Sequence, residues 1–311
     1  MGSRFLNANE VNPENLGPLA QLIGEWRGVI PPDESLLSSG WNTISVPGGH
    51  PGQAFVFEVI PYSEVLRFSP VIVQAGNRGP LVNGEQVEQT IYGLIYEQSI
   101  TSVCTTESCQ NRGFGFGQPI HAETGLLLNL GSPNGGYSIG RLSTIPHGNA
   151  LLALGNASVE TSPGTDFFPP SSCVPTMLNG SPVTSLLDYS DEITKRIQFP
   201  GIFPQEHPNQ FLQTTLKEIV GTGSVTEITT LSMSTATPNA NGGILNIPFI
   251  QTNVNATSMD AIFWLETIEG GKYNQLLQYT QTINLVFPAT GQADPIKWPH
   301  VTINSLIKIT D

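Results

Sequence analysis

The chain has 311 residues, of which 39% are hydrophobic, 8% aromatic and only 12% charged, with 12 Lys and Arg against 25 Asp and Glu. The formal net charge of −13 repels phosphate backbones and anionic lipid, which argues against nucleic acid and peripheral membranes as partners. No run approaches the roughly 18 apolar residues of a membrane span, and the 32 Gly and 25 Pro are scattered among β-branched runs as turns.

The opening MGSRFLNANEV lacks the apolar core of a secretory signal, so a cytoplasmic location is expected. In NPENLGPLAQLIGEWRG, Leu16, Leu19, Leu22 and Ile23 have helical spacing; a short helix should end at Gly24, with Trp26 starting the first strand. Strand-like runs follow at 54–60, 64–73, 90–100, 124–130, 137–145 and 150–160, and a later set at 226–235, 243–254, 261–268, 276–287 and 301–310. Between the sets, 161–224 begins with the Pro-rich SPGTDFFPPSSCVP and continues through two helical patterns, 185–197 and 208–220. It reads as an excursion covering one end of the β structure, with a helix plugging the barrel as the alternative. No repeat, charge block or Ser/Gly linker divides the chain, so residues 1–311 are expected to form a single domain.

About eleven β segments joined by turns predict an all-β fold: a closed antiparallel barrel of about 8–11 strands, with long inserted loops and one or two short helices. In LLQYTQTINLVF both alternating faces mix polar and apolar residues, which fits a partly polar interior around one small ligand.

Chemistry-bearing motifs are scarce. The chain has no GxxxxGK[ST], HExxH, GxSxG or paired CxxC pattern, and GFGFG (113–117) reads as a turn. Cys104 and Cys109 are close enough in CTTESC to oxidise, and Cys173 would be left over; reduced thiols are the preferred expectation. Of five histidines, His50 and His207 sit in loops, whereas His121, His147 and His300 border β runs. His147, in TIPHGN, reads as a solvent-facing turn residue unless the barrel mouth lies at that end. Met177, Met233 and Met259 read as packing.

Three segments, taken in order, resemble the nitrobindin family of small heme-binding β-barrels. PLAQLIGEWRG (18–28) is similar to the family's opening, IHAETGLLL (120–128) to its His-x-Glu-x-Gly strand, and DPIKWPHVTINSLIKI (294–309) to its C-terminal strand. QYTQTINLVF is similar to its penultimate strand. The chain is longer than the usual member, with insertions near 30–118 and 161–224, and GVIPPDES stands where the family has a Gly-rich turn.

The resemblance implies ferric heme b with His300 as the proximal iron ligand and His121 on the heme's other side. Trp26 matches the motif tryptophan, a cofactor-pocket position in the family, though here it more plausibly packs the barrel base. It also implies nitric oxide binding and isomerisation of peroxynitrite to nitrate, or peroxidase-like chemistry. Two other readings stand beside it. One is a heme-free barrel for an apolar or aromatic small molecule. The other is a cofactor-independent enzyme using His121 and Glu123, which share a strand face at i and i+2.

Overall fold

The structure is a computed structural model that describes residues 12–28, 40–47, 55–71, 80–86, 91–131, 136–183, 199, 202–238, 241–289 and 293–310. Its strands are β1 (Gly24–Gly28), β2 (Gly40–Pro47), β3 (Phe55–Val71), β4 (Leu81–Val82), β5 (Glu85–Gln86), β6 (Tyr92–Ser102), β7 (Pro119–Asn129) and β8 (Ile139–Ile145). They continue with β9 (Asn149–Thr161), β10 (Thr176–Met177), β11 (Ser224–Ser234), β12 (Gly243–Asn246), β13 (Asn255–Glu269), β14 (Gln275–Pro288) and β15 (Pro295–Thr310). The helices are α1 (Pro13–Leu16), which runs into a 3-10 turn (Gly17–Leu22), α2 (Glu107–Asn111), α3 (Gln210–Val220) and α4 (Pro248–Asn253).

Antiparallel pairing carries the sheet around the circuit β15, β14, β13, β11, β9, β8, β7, β6 and β3, closing a barrel of ten staves. The tenth stave is shared. β1 pairs with β3 and β15 near the base, and β2 pairs with the same two strands near the opposite end, the mouth. The expectation of an all-β closed barrel therefore holds. Residues 54–60 and 64–73 read as two strands, but the described residues 55–71 form one strand, which changes partner from β2 (55–62) to β1 (65–68).

The base is dry. α1 and the 3-10 turn bring Leu16, Leu19 and Leu22 into one cluster with Trp26, Leu66, Leu94, Leu277 and Leu306. The Trp26 Nε1–H donates to the Leu22 carbonyl at 2.7 Å, which satisfies the one polar atom of a fully buried indole. The helical spacing of the opening segment thus places a plug, not a lid over the mouth.

Three expectations need correction. The stretch 30–118 is not an insertion, because β2, β3 and β6 inside it are barrel staves. Where it is described, the segment 161–224 packs against the outer wall, and these residues neither cap an end nor plug the barrel. Phe211 and Leu212 of α3 join Trp41, Cys173, Trp264, Val301 and Ile303 in a second core, and Gln278 on the outward face of β14 donates to the Leu212 carbonyl. The outward faces of β13–β15 are apolar enough to require this cover. The second helical pattern became α3; the first, 185–197, lies outside the described residues, as do His50 and most of GVIPPDES. Finally, 243–254 is not one strand: Pro248 stops β12 and sits in the first turn of α4, where its missing N–H costs nothing.

Cys104 and Cys109 form a disulfide, contrary to the preferred reading of reduced thiols. It staples the loop holding α2, whose Arg112 and Ser108 bind Glu58, and GFGFG is the turn from that loop into β7. Cys173 is a buried thiol beside Thr43, and burial pushes it up to about 12, so it stays protonated and unreactive.

Backbones approach closely at Gly155 on β9, where an added Cβ would lie 1.7 Å from the Ser232 carbonyl oxygen of β11. At Gly140 the nearest atom would be a side-chain carbon at 3.5 Å. Gly155→Ala should destabilise the protein by about 1–3 kcal/mol or more, and Gly140→Ala by much less, as read from chemical denaturation midpoints.

Candidate functional site

Above the base, inward-facing side chains change character in layers. Along β14 they run Leu277, Tyr279, Gln281, Ile283 and Leu285, and opposite them on β15 lie Leu306, Asn304, Thr302, His300 and Trp298. The dry core gives way to a polar belt, and the belt to a cavity of about 230 Å³ at the mouth.

The cavity wall is mostly aliphatic, with Ile100, Ile120, Ile145, Leu151, Ile283 and Leu285 from the staves and Ile244, Ile250 and Val254 from the β12–α4 flap. Three histidines also line it: His300, His121 and His147. β15 and β7 are separated by five staves one way and three the other, so His300 and His121 stand on nearly opposite walls. His147 lies in the turn between β8 and β9, with its ring centroid 5.6 Å from that of His121. It is exposed, as expected of a turn residue, and it borders the cavity because the mouth lies at that end.

His300 differs from the other two. Its Nε2 is buried and has no hydrogen-bond partner, and Asn42 Oδ1 on the adjoining β2 wall is unpartnered as well. Burial, followed by the proximity of His121 and His147, pulls the His300 pKa down to about 4. The ring is therefore neutral at physiological pH, and in the tautomer with its proton on Nδ1 the unpartnered Nε2 presents a lone pair to the apolar cavity, the state in which imidazole ligates a metal. Burial and then His121 lower His147 too, opposed by its bond to the Ile120 backbone.

His121 is held by the belt. Its Nε2 is 3.4 Å from Glu123 Oε2, two residues along the same inward face, as the i, i+2 spacing predicts. Arg141 on β8 organises the rest: Nη2 donates to Glu123 Oε1 at 2.6 Å, Nε to Tyr96 Oη at 2.9 Å and Nη1 to Gln281 Oε1 at 2.7 Å. Tyr96 also donates to Glu123 and contacts Ser143. Desolvation alone would raise the Glu123 pKa, but the Arg141 charge and the bonds from His121, Ser143 and Tyr96 outweigh it and hold the carboxyl well below its ordinary range.

The structure thus brings together His300, His121 and Glu123. Trp26 belongs to the base, the packing role expected for it, and is not among the residues that line the cavity. His207 lies exposed in the outer layer. Sequence reasoning did not single out Asn42, Tyr279, Gln98 or Arg141. Alternation in QYTQTINLVF held a signal for Tyr279, whereas Asn42 and Arg141 matter through strands distant in sequence. A larger groove of about 560 Å³ over Arg67, Glu97, Thr124 and Thr144 lies on the outer surface and presents none of the histidines. Among the described residues, no group of three or more His, Cys, Asp or Glu is arranged to hold a metal ion unaided. Nor is any described helix long and apolar enough to cross a membrane.

No family model matches the chain, and no curated protein matches it. Among solved structures, the chain is similar to Rv2717c from M. tuberculosis at 15% identity, over 98% of this chain and 99% of that one, with a TM-score of 0.42.

Because the folded His300 binds a proton only near pH 4, against an ordinary value of 6.5, the unfolded chain takes up protons first as pH falls. Stability contributed by neutral His300 should be complete above about pH 6.5 and lost progressively towards pH 4, by about 2–3 kcal/mol. His300→Phe should flatten that part of the stability–pH curve measured by urea denaturation, while the limb above pH 7 keeps its shape.

Proposed function

We propose that this barrel binds heme b, with His300 Nε2 as the protein ligand to the iron. The supporting observation is that Nε2 is a buried, unpartnered atom on a neutral imidazole that lines an apolar cavity. An orphaned buried acceptor is costly by about 1–3 kcal/mol, and a metal ion is the partner that most directly satisfies it. The donor set fits a porphyrin iron better than a bare ion, because His300 supplies a single ligand and the macrocycle supplies the others. Bound there, ferric heme would supply an open coordination position acting as a Lewis acid towards a diatomic or peroxide ligand, the chemistry of the nitrobindin family that the motifs resemble.

The chain's own residues then divide the work. His300 anchors, the aliphatic wall excludes water, and His121 and His147 offer hydrogen bonds from the opposite side. Glu123, fixed by Arg141, holds His121. The cavity is small for a porphyrin. The wall most able to yield is the β12–α4 flap, because α4 buries no side chain, although its movement would uncover Ile244, Ile250 and Val254.

A second reading, a heme-free carrier of a small apolar or aromatic molecule, is favoured by the same volume of about 230 Å³, which is below the roughly 300 Å³ of usual ligand pockets and suits only a small guest. A hemin titration separates the two. Wild type should show a saturable one-to-one Soret shift. His300→Ala should lose it, or weaken it more than about tenfold, with its far-ultraviolet circular dichroism unchanged, and His121→Ala should keep it. No shift in wild type would remove the heme reading and leave the carrier, to be identified by mass spectrometry of what co-purifies.

A further inference from the structure

Beneath the cavity lies a carboxyl group that ligand anchoring does not use. Glu64, on the inward face of β3, is fully buried, and no Lys or Arg reaches it among the described residues. Gln98 Nε2 donates to its Oε1 at 2.6 Å, while Tyr279 Oη and Asn304 Nδ2 donate to its Oε2 at 2.7 Å each. Tyr279 Oη lies 2.9 Å from Tyr62 Oη, and Tyr62 Oη donates to the Ile303 carbonyl. Tyr279 and Gln98 also line the cavity floor, so this cluster separates Glu64 from the ligand by a single side chain.

The cluster accepts two protonation states without moving a heavy atom. With Glu64 ionised, Tyr279, Gln98 and Asn304 all donate to it. With Glu64 protonated, the carboxyl donates to Tyr279, Tyr279 to Tyr62, and Tyr62 to the Ile303 carbonyl, each step needing only a hydroxyl rotation. The titratable groups facing Glu64 are Tyr62, Tyr279 and His121; burial favours the neutral carboxyl, against its hydrogen bonds and His121.

The neighbouring carboxylate, Glu123, is already neutralised by Arg141. A positive centre entering this apolar cavity would have no free counter-charge, and an uncompensated charge there is strongly unfavourable. We propose that Glu64 is the proton-releasing counter-ion of the cavity: its carboxyl loses a proton to bulk water when a group bearing positive charge, such as a ferric porphyrin centre, binds above Tyr279 and Gln98. No electron moves, and the only bond broken is the carboxyl O–H. This inference rests on the heme reading and deepens it by fixing the charge class of the ligand.

The test combines infrared spectroscopy with proton counting. Without ligand at neutral pH, wild type should show a protonated carboxyl C=O component that Glu64→Gln removes and Glu266→Gln, at a second buried carboxyl that burial pushes towards its neutral form, leaves in place. On titration with hemin in weak buffer, wild type should release more protons per hemin than Glu64→Gln, the difference approaching about one, as that component disappears. Glutamine is accommodated by flipping the Gln98 amide. Should that variant fail to fold, Tyr279→Phe removes one donor to the carboxylate, and the pH midpoint of proton release should move upward. Equal proton release in wild type and Glu64→Gln, an unmoved midpoint in Tyr279→Phe, or no protonated component in the free protein that Glu64→Gln removes would each overturn the inference. A Soret shift without extra proton release would refute this inference and leave the heme reading standing. No Soret shift would refute both.

Discussion

A guanidinium and a carboxylate share the middle of this barrel, 2.6 Å apart and almost without solvent, and the interior is arranged around keeping them paired. Such a pair is not a source of net stability by itself, but losing either partner strands the other, at a cost of about 3–5 kcal/mol. Arg141 donates further to Tyr96 and Gln281, with its charge also over the Phe263 ring. Below this belt the packing is dry, down to Trp26 and the N-terminal plug. Above it the barrel widens into the histidine-lined cavity. The belt is therefore both floor and strut, and it fixes where the cavity stops.

The electrostatics above the belt follow from the same arrangement. With Glu123 committed to Arg141, the His300 side of the cavity has no nearby anion to favour an imidazolium, and burial leaves the ring neutral. Glu64, without a cationic partner, is pushed the other way, towards its neutral acid. In a chain with a net charge of −13, burial thus favours the neutral forms of His300 and Glu64 around this cavity. The carboxylates that make the protein acidic do not determine the character of its site. This is why the overall charge was silent about the ligand.

Much of the architecture was legible in the chain. Alternation predicted most of the staves, and Leu16, Leu19 and Leu22 were correctly read as one helical face. His121 and Glu123 were placed on a common strand face by spacing alone, because the two-residue repeat of a strand is a local property. What failed did so for identifiable reasons. β3 was read as two strands because a chain does not reveal that one partner strand hands over to another between residues 62 and 65. Pro248 was absorbed into an apolar run whose second half is helical. The stretch 30–118 looked like an insertion because the chain is longer than the members of the family it resembles, yet β2, β3 and β6 pair with one another and with β7, and β2 also reaches β15 more than 200 residues away.

By itself, then, the sequence determined the local periodicities: which residues could share a strand face, where turns had to fall, and which imidazoles bordered strands. Only the closed barrel decided that His300 and His121 would face one another, that Asn42 would join His300 at one wall, and that Arg141 would hold the carboxylate behind His121. These relations depend on which strands become neighbours when residues 24–28 close the barrel against 306–310. Closure is a property of the whole circuit of pairings and is written in no single segment of the chain.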